Sequence, residues 1–501
     1  MRWLLPLVLL AGCGPKAFPD TFLFGASIAG FQVDMGCPTL PAAQCEDPNS
    51  DWYQFVTSRD QLQDLTDIVA FDPPSTGPGF WELYEQDFDR AKDGLGLGAV
   101  RLSIEWSRIF PTATDGLDGD ALRWAANADA IATYHAMFAA MKKRGLQPLV
   151  TINHYTLPLW MHDGVACHHD LATCTRRGWL DHDRMLSELP KYAGFIAREF
   201  GGEVDLWATL NEPLAVVLPG YVLRSGERAN PPEAPGHYAE ARQVIVTMIE
   251  AHAAMYDAVK ANDVVDADGN GKASEIGLVF PIAPTRPKDP SNPVDVRGAK
   301  NLFYIYNTAF LDGVALGLVD ADLDGTPDGD PRPDLVGRMD WVGINAYTRI
   351  TVEGAGVAVL PDLSPLSTIN PLTLQTLEDY PRGIYESEIW VKDRYHLPSI
   401  ITETGAPPSD DEAASASWLA RYVTWTKRAI RDDADVRGFF YWSLIDNYEW
   451  NHGINFRVGL YAVGTDQART RTPRPGVDAY RQITRARDVP EALAKKYPAP
   501  E

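Results

Sequence analysis

The sequence predicts an α/β fold, a (β/α)8 TIM barrel with long loops on its C-terminal face. Three observations predict it. Eight short β-rich runs, apolar on both faces, alternate with longer helical stretches along a chain of 501 residues. No Gly-rich phosphate loop follows the first run, which disfavours a doubly wound open sheet. Polar and aromatic residues gather where the runs end, on the face where barrel enzymes keep their sites.

The runs are Thr21–Gly30, Ala99–Trp106, Leu146–Tyr155, Val204–Pro213, Glu275–Pro284, Trp341–Thr348, Pro398–Gly405 and Val436–Asp446. Between them Ala121–Arg144, Met185–Phe200, His237–Lys260, Asn301–Gly317 and Ala414–Arg431 read as helices. Long loops are expected at 31–80, 156–182, 214–236 and 349–395, after the first, third, fourth and sixth runs. One domain therefore spans 20–490, preceded by a signal at 1–12 and a tether at 13–19, and followed by a tail at 491–501.

Composition narrows the function. A chain 45% hydrophobic and 10% aromatic has ample material for a large core. Its 45 Lys and Arg against 68 Asp and Glu give a net charge of −23, with no basic cluster. That charge repels phosphate backbones and excludes nucleic acid as a partner.

The first thirteen residues carry one positive charge, a short apolar run and then small residues, an export signal too short to span a bilayer. Leu10-Ala11-Gly12-Cys13 resembles a bacterial lipobox, which implies cleavage before Cys13 and its lipidation. An ordinary secretory signal is the alternative. The expectation is an exported bacterial lipoprotein of the cell envelope, on the periplasmic face or outer surface, touching the membrane only through its lipid. Four cysteines remain in two close pairs, Cys37 with Cys45 and Cys167 with Cys174. Disulfides persist outside the cytosol, so two local bridges are the economical reading of three connectivities. Zinc with His168 and His169 is the alternative, although the cysteine spacing is wider than usual for that metal.

Two segments carry alternating acids. Asp320, Asp322, Asp324 and Asp328 reproduce the opening of a calcium loop, and Asp266, Asp268 and Asn270 do so more weakly. Both lack the bidentate Glu at position 12 and both precede strands, so any calcium there is structural, set against plain Asp-Gly turns. Catalysis itself calls for no cofactor.

At the run ends stand Gln32; Arg101, Glu105 and Trp106; Asn153 and His154; Asn211 and Glu212; Asn345 and Tyr347; Glu403; Trp442; and Glu449 with Trp450. Taken singly, Glu212 reads as a helix cap, Glu403 as an ion-pair partner of Arg101, and His154 as a core histidine. Their convergence on one face is what matters. A carboxylate at a barrel strand end is costly unless hydrogen-bonded or used. Two of them on strands facing each other across the mouth, with aromatic walls, are the equipment for glycoside hydrolysis.

These stretches resemble glycoside hydrolase family 1, the β-glucosidase family, over residues 20–485. The resemblance rests on Phe22–Ser27 with Gln32, Arg101–Pro111, Thr209–Pro213, Ile401–Gly405 and Tyr441–Trp450. It implies that Glu403 is the nucleophile and Glu212 the acid/base of a retaining hydrolase, supported by Arg101, Tyr347 and Asn345. Arg101 and the Tyr347 hydroxyl are expected to lower the pKa of Glu403. The resemblance also implies that Gln32, His154, Asn211, Glu449 and Trp450 bind sugar hydroxyls and that Trp442 is the floor under the ring. A carboxylate at Glu449 suits a neutral sugar and repels a 6-phosphate. The chain departs from the family pattern at Tyr155 (usually Trp), Thr156 (often Asp), Asp34 (usually Glu), Thr404 (usually Asn) and Val458 (usually Phe). Those departures leave the preferred sugar open among glucose, galactose and fucose. The substrate is a small oligosaccharide or glycoside. A transglycosylase using the same glycosyl-enzyme and a non-catalytic surface sugar-binding protein are the alternatives.

Overall fold

The computed structural model describes residues 18–226, 228–356, 365–409 and 411–499. Each of the eight runs contributes one strand: β1 (Leu23–Ser27), β2 (Ala99–Ser103), β3 (Gln147–Asn153), β4 (Leu206–Asn211), β5 (Glu275–Pro281), β6 (Trp341–Asn345), β7 (Ser399–Glu403) and β8 (Val436–Trp442). They pair in parallel with their sequence neighbours, and β1 closes on β8 with Ser27 opposite Trp442. Every strand stops short of its run's C-terminal end. The residues left over turn into the top loops, as where Trp106 and Pro213 open the short helices Trp106–Ile109 and Pro213–Val217.

The barrel interior is filled, not hollow. Leu149, Leu206, Val279, Trp341, Ile400 and Phe440 form one buried cluster inside the ring. Gly25 faces the Phe440 ring and Gly277 the Trp341 ring, where a Cβ would overlap the aromatic atoms. A larger apolar layer separates the strands from the outer helices.

Three helical expectations are corrected. The stretch Ala121–Arg144 is two helices, Gly119–Ala125 and Ala128–Arg144, because the Asn127 side chain caps the second by accepting from Asp129 N and Ala130 N. Asn301–Gly317 lies within a longer element that starts at Pro293, capped by Asn292, and loosens into a π-turn over Tyr304–Thr308 before Ala309–Leu316. The supposed loop 349–395 contains a helix, Arg382–Tyr395, which buries Ile384, Glu388, Val391 and Tyr395 at helical spacing. It also contains Ile350–Val352, which pairs with Thr285–Pro287.

The ends differ from expectation too. Phe18 is already packed against Phe22 and Phe24, so the last part of the expected tether belongs to the domain. The tail contains a helix, Glu491–Lys496, whose Leu493 is buried. Residues 1–17, with Cys13, lie outside the described residues. Among the described residues no helix is long and apolar enough to cross a membrane.

Both local disulfides form, Cys37–Cys45 and Cys167–Cys174, which consumes the sulfurs a zinc site would need. The acidic loops precede β5 and β6, away from the C-terminal face. The carboxylates of Asp320, Asp322 and Asp324 lie within 4.8 Å of one another. In the other group it is Asp205, at the foot of β4, that joins Asp266 and Asp268. Asp328 instead accepts from the Ala321 amide within its loop, and Asn270 accepts from the Lys272 amide.

Candidate active site

At the top of β2, Arg101 is wholly buried and spends its donors on three elements. Nε donates to Thr151 Oγ1 at 2.9 Å, Nη1 to Glu403 Oε1 at 2.5 Å and Nη2 to Asn211 Oδ1 at 2.7 Å. It thereby ties β2 to β3, β7 and β4. Glu403, the last residue of β7, receives a second bond on Oε2 from the Tyr347 hydroxyl at 2.9 Å.

Glu212 follows β4 in a left-handed conformation, φ +44°, between the end of the ladder and Pro213. Such a backbone is strained for a glutamate and recurs at functional sites. Both carboxylate oxygens are held: Oε1 by Asn345 Nδ2 at 2.7 Å and Oε2 by the Tyr155 hydroxyl at 2.8 Å. Thr402 Oγ1 donates to Asn345 Oδ1 at 2.7 Å and fixes that amide.

The Glu403 carboxyl departs from expectation. Burial and the neighbouring Glu212 charge outweigh Arg101 and Tyr347, and its pKa is pushed up to about 7. Arg101 and Tyr347 do bind it as foreseen. Desolvation of the buried carboxylate is the largest effect on it.

The residues expected to bind sugar surround this pair. Asn211 presents its oxygen to Arg101, so its NH2 faces His154 Nε2, 3.2 Å away. Burial and the Arg101 charge drive the His154 pKa well below its ordinary value, so the ring is neutral. With Nε2 accepting, the ring proton sits on Nδ1, which has no partner among the described residues. Gln32 Nε2 donates to Glu449 Oε2 at 3.0 Å while Gln32 Oε1 is unpartnered. One free donor and one free acceptor thus lie buried where a polyol would need them. His154 stacks between Trp442 and Trp450 at 18° and 17°. Trp442 shares a small apolar cluster with Ala29 and Val458, with Tyr347 and Phe456 beside it.

Two contacts escaped the sequence reading. The Tyr155 hydroxyl on Glu212 was visible only as an unusual residue after the histidine. Arg228, half exposed on the loop after β4, donates through Nη1 to Glu449 Oε1 at 3.2 Å. Nothing in Arg224-Ser-Gly-Glu-Arg228 marks that arginine for a partner 221 residues onward. The remaining departures avoid the pair. Asp34 sits 3.4 Å from Arg108, with its pKa raised to about 8 by burial. Thr156 donates to Glu105 at 2.6 Å, and Thr404 Oγ1 accepts from Trp418.

A closed parallel barrel with a buried carboxylate at the end of β7 and a half-buried one after β4, ringed by polar and aromatic groups, defines a glycoside hydrolase. The comparisons with known proteins agree. A model described as glycosyl hydrolase family 1 matches residues 15–489, and the chain belongs to that family. The β-galactosidase of Pyrococcus woesei is 33% identical over 96% of this chain and 99% of its own. The β-galactosidase of Saccharolobus solfataricus is 32% identical over 93% and 95%. Among solved structures, the β-glycosidase of the hyperthermophile Thermosphaera aggregans superposes with a TM-score of 0.80 at 27% identity, covering 97% of this chain and all of that one.

Proposed function

We propose that this β-glycosidase is an exported, lipid-anchored retaining enzyme that removes terminal neutral β-linked sugars from short oligosaccharides or aryl and alkyl glycosides. The observation that carries the reading is the unequal support of the two carboxylates, Glu403 buried and Glu212 half-buried. Glu403 has a guanidinium and a phenol, the partners of a group that works as an anion. Glu212 has an amide and a phenol and, among the described residues, no ion-pair partner, the support of a group that gains and loses a proton.

In the first step Glu403 attacks the anomeric carbon while Glu212 protonates the departing glycosidic oxygen, and the C1–O bond breaks. Glu403 is then an uncharged ester, so the negative charge beside Glu212 disappears. In the second step Glu212 takes a proton from water, the water oxygen bonds to C1, and Glu403 leaves as carboxylate. His154 Nδ1–H, Gln32 Oε1 and Glu449 hold the sugar hydroxyls over Trp442. A sugar or alcohol taking the place of water would make the same chemistry a transglycosylation. Pure sugar binding has no use for the Arg101 and Tyr347 bonds on Glu403.

Relatives are named both β-galactosidase, as in Pyrococcus woesei, and β-glucosidase, as in rice, and Val458 stands in the floor cluster beside Trp442. Structural calcium belongs in the 320–328 loop first, with no part in the chemistry. A thermal melt in calcium rises above one in chelator on this reading, and superimposed curves oppose it. The mechanism is tested by proton NMR of the first sugar released from a nitrophenyl β-glycoside. The β anomer is expected, and the α anomer contradicts retention.

A further inference from the structure

We propose that Tyr155 is a positioning residue that confines the working proton of Glu212 to Oε2 and follows it through both steps. This rests on reading Glu212 as the acid/base. Arg101 has only donors, so the Asn211 atom 2.7 Å from it is oxygen. Asn345 Nδ2 lies 3.4 Å from that same oxygen, and its Oδ1 accepts from Thr402. Asn345 therefore offers its NH2, and only its NH2, to Glu212 Oε1. An NH2 cannot accept, so Oε1 is an acceptor throughout the cycle.

The exchangeable proton is left to Oε2, whose protein partner is the Tyr155 hydroxyl at 2.8 Å. A phenol both donates and accepts. It accepts a hydrogen bond from Glu212 Oε2–H while the acid is protonated, gives up that bond as Glu212 passes the proton to the glycosidic oxygen, and donates its own O–H to Oε2 once the carboxylate forms. The indole common at this position in the family can only donate. The hydroxyl is aimed by packing: Tyr155 is buried, its ring centroid lies 4.8 Å from that of Trp450 and 5.0 Å from that of His154, and its backbone is held left-handed at φ +73°. The charged and titratable groups facing Tyr155 and Glu212 are Glu403 with its partner Arg101, then Tyr306, Tyr347, and Arg228 with Glu449 beyond it.

The test compares Tyr155→Phe with the parent enzyme in kcat/KM against pH. Loss of a donor to the carboxylate form is expected to move the alkaline limb up by about one pH unit, with the acid limb unmoved. On a dinitrophenyl glycoside, which needs no acid to depart, kcat is expected to fall about 10-fold because the base step is slowed. Tyr155→Trp, carrying the family's residue, keeps a donor to the carboxylate and loses the acceptor for the acid, so its alkaline limb should move down instead, and it covers the case of a Phe variant that does not fold. Unmoved limbs, or one uniform loss at every pH, overturn the proposal. Glu212→Ala with azide separates the two readings. Full activity in that variant defeats the acid/base assignment itself, whereas azide rescue beside an unshifted Tyr155→Phe profile defeats only the role of Tyr155.

Discussion

His154 has one ring nitrogen committed to Asn211 and the other free. Replacing it by Ala removes a donor to the sugar and strands the Asn211 amide. We expect kcat/KM to fall roughly 10- to 100-fold, the loss of a hydrogen bond together with a stranded buried partner. An unchanged value would show that the ring takes no part in binding. At this scale the motif residues were legible because a strand end dictates where its side chains point. What was not legible is the pairing among them. That Glu212 shares Asn345 with Asn211, and that Glu403 titrates high despite Arg101, depends on distances and desolvation among β2, β4, β6 and β7.

Two features of the loops above the strands carry predictions. The segment after β4 carries Arg228 onto Glu449, the carboxylate that sugar hydroxyls would use. The arginine end of this pair is half exposed while Glu449 is buried, so solvent and salt screen it in part. Arg228→Ala is therefore expected to lower KM about two- to five-fold at low salt, with added salt closing the gap. A raised KM would show instead that Arg228 itself grips the substrate. In the segment after β1, Cys37–Cys45 closes a short loop, and the Cys45 carbonyl accepts from buried Arg108 at 2.7 Å. Replacing both cysteines by Ser should cost about 2 kcal/mol through loop entropy, read as a lower melting temperature, which reductant then changes only through the remaining Cys167–Cys174 bridge. A melt equal to the parent's would deny the bridge that role. The helix Arg382–Tyr395 was hidden because its buried face includes a Glu, Glu388, where an apolar residue would have signalled the period.

For the molecule as a whole, the barrel was legible because strands buried on both faces need no alternation and so stand out as apolar runs. Helix limits were not, since caps such as Asn127 act through single side chains. Several buried carboxyls outside the strand ring sit above their ordinary range because burial disfavours the anion: Asp34 and Glu233 at about 8, Asp263 at about 7. In the unfolded chain such groups ionise near 4. Folding thus takes up protons across the window from about 4 to about 8, and stability falls as pH rises through it. Self-repulsion from a net charge of −23 acts in the same direction. The melting temperature should drop between pH 6 and pH 9. Salt should recover the part due to repulsion but not the part due to buried acids. A melt that is flat or rising over that range contradicts this.

The central claim is that Glu403 bonds covalently to the sugar, and trapping tests it most directly. The enzyme is incubated with 2-deoxy-2-fluoro glucosides and galactosides bearing good leaving groups, then read by intact mass and peptide mapping. One added fluoroglycosyl group on Glu403 is the expected result, and the sugar that labels faster identifies the preferred ring. Hydrolysis of the parent glycosides with no adduct, or an adduct on any other residue, would contradict the double-displacement mechanism.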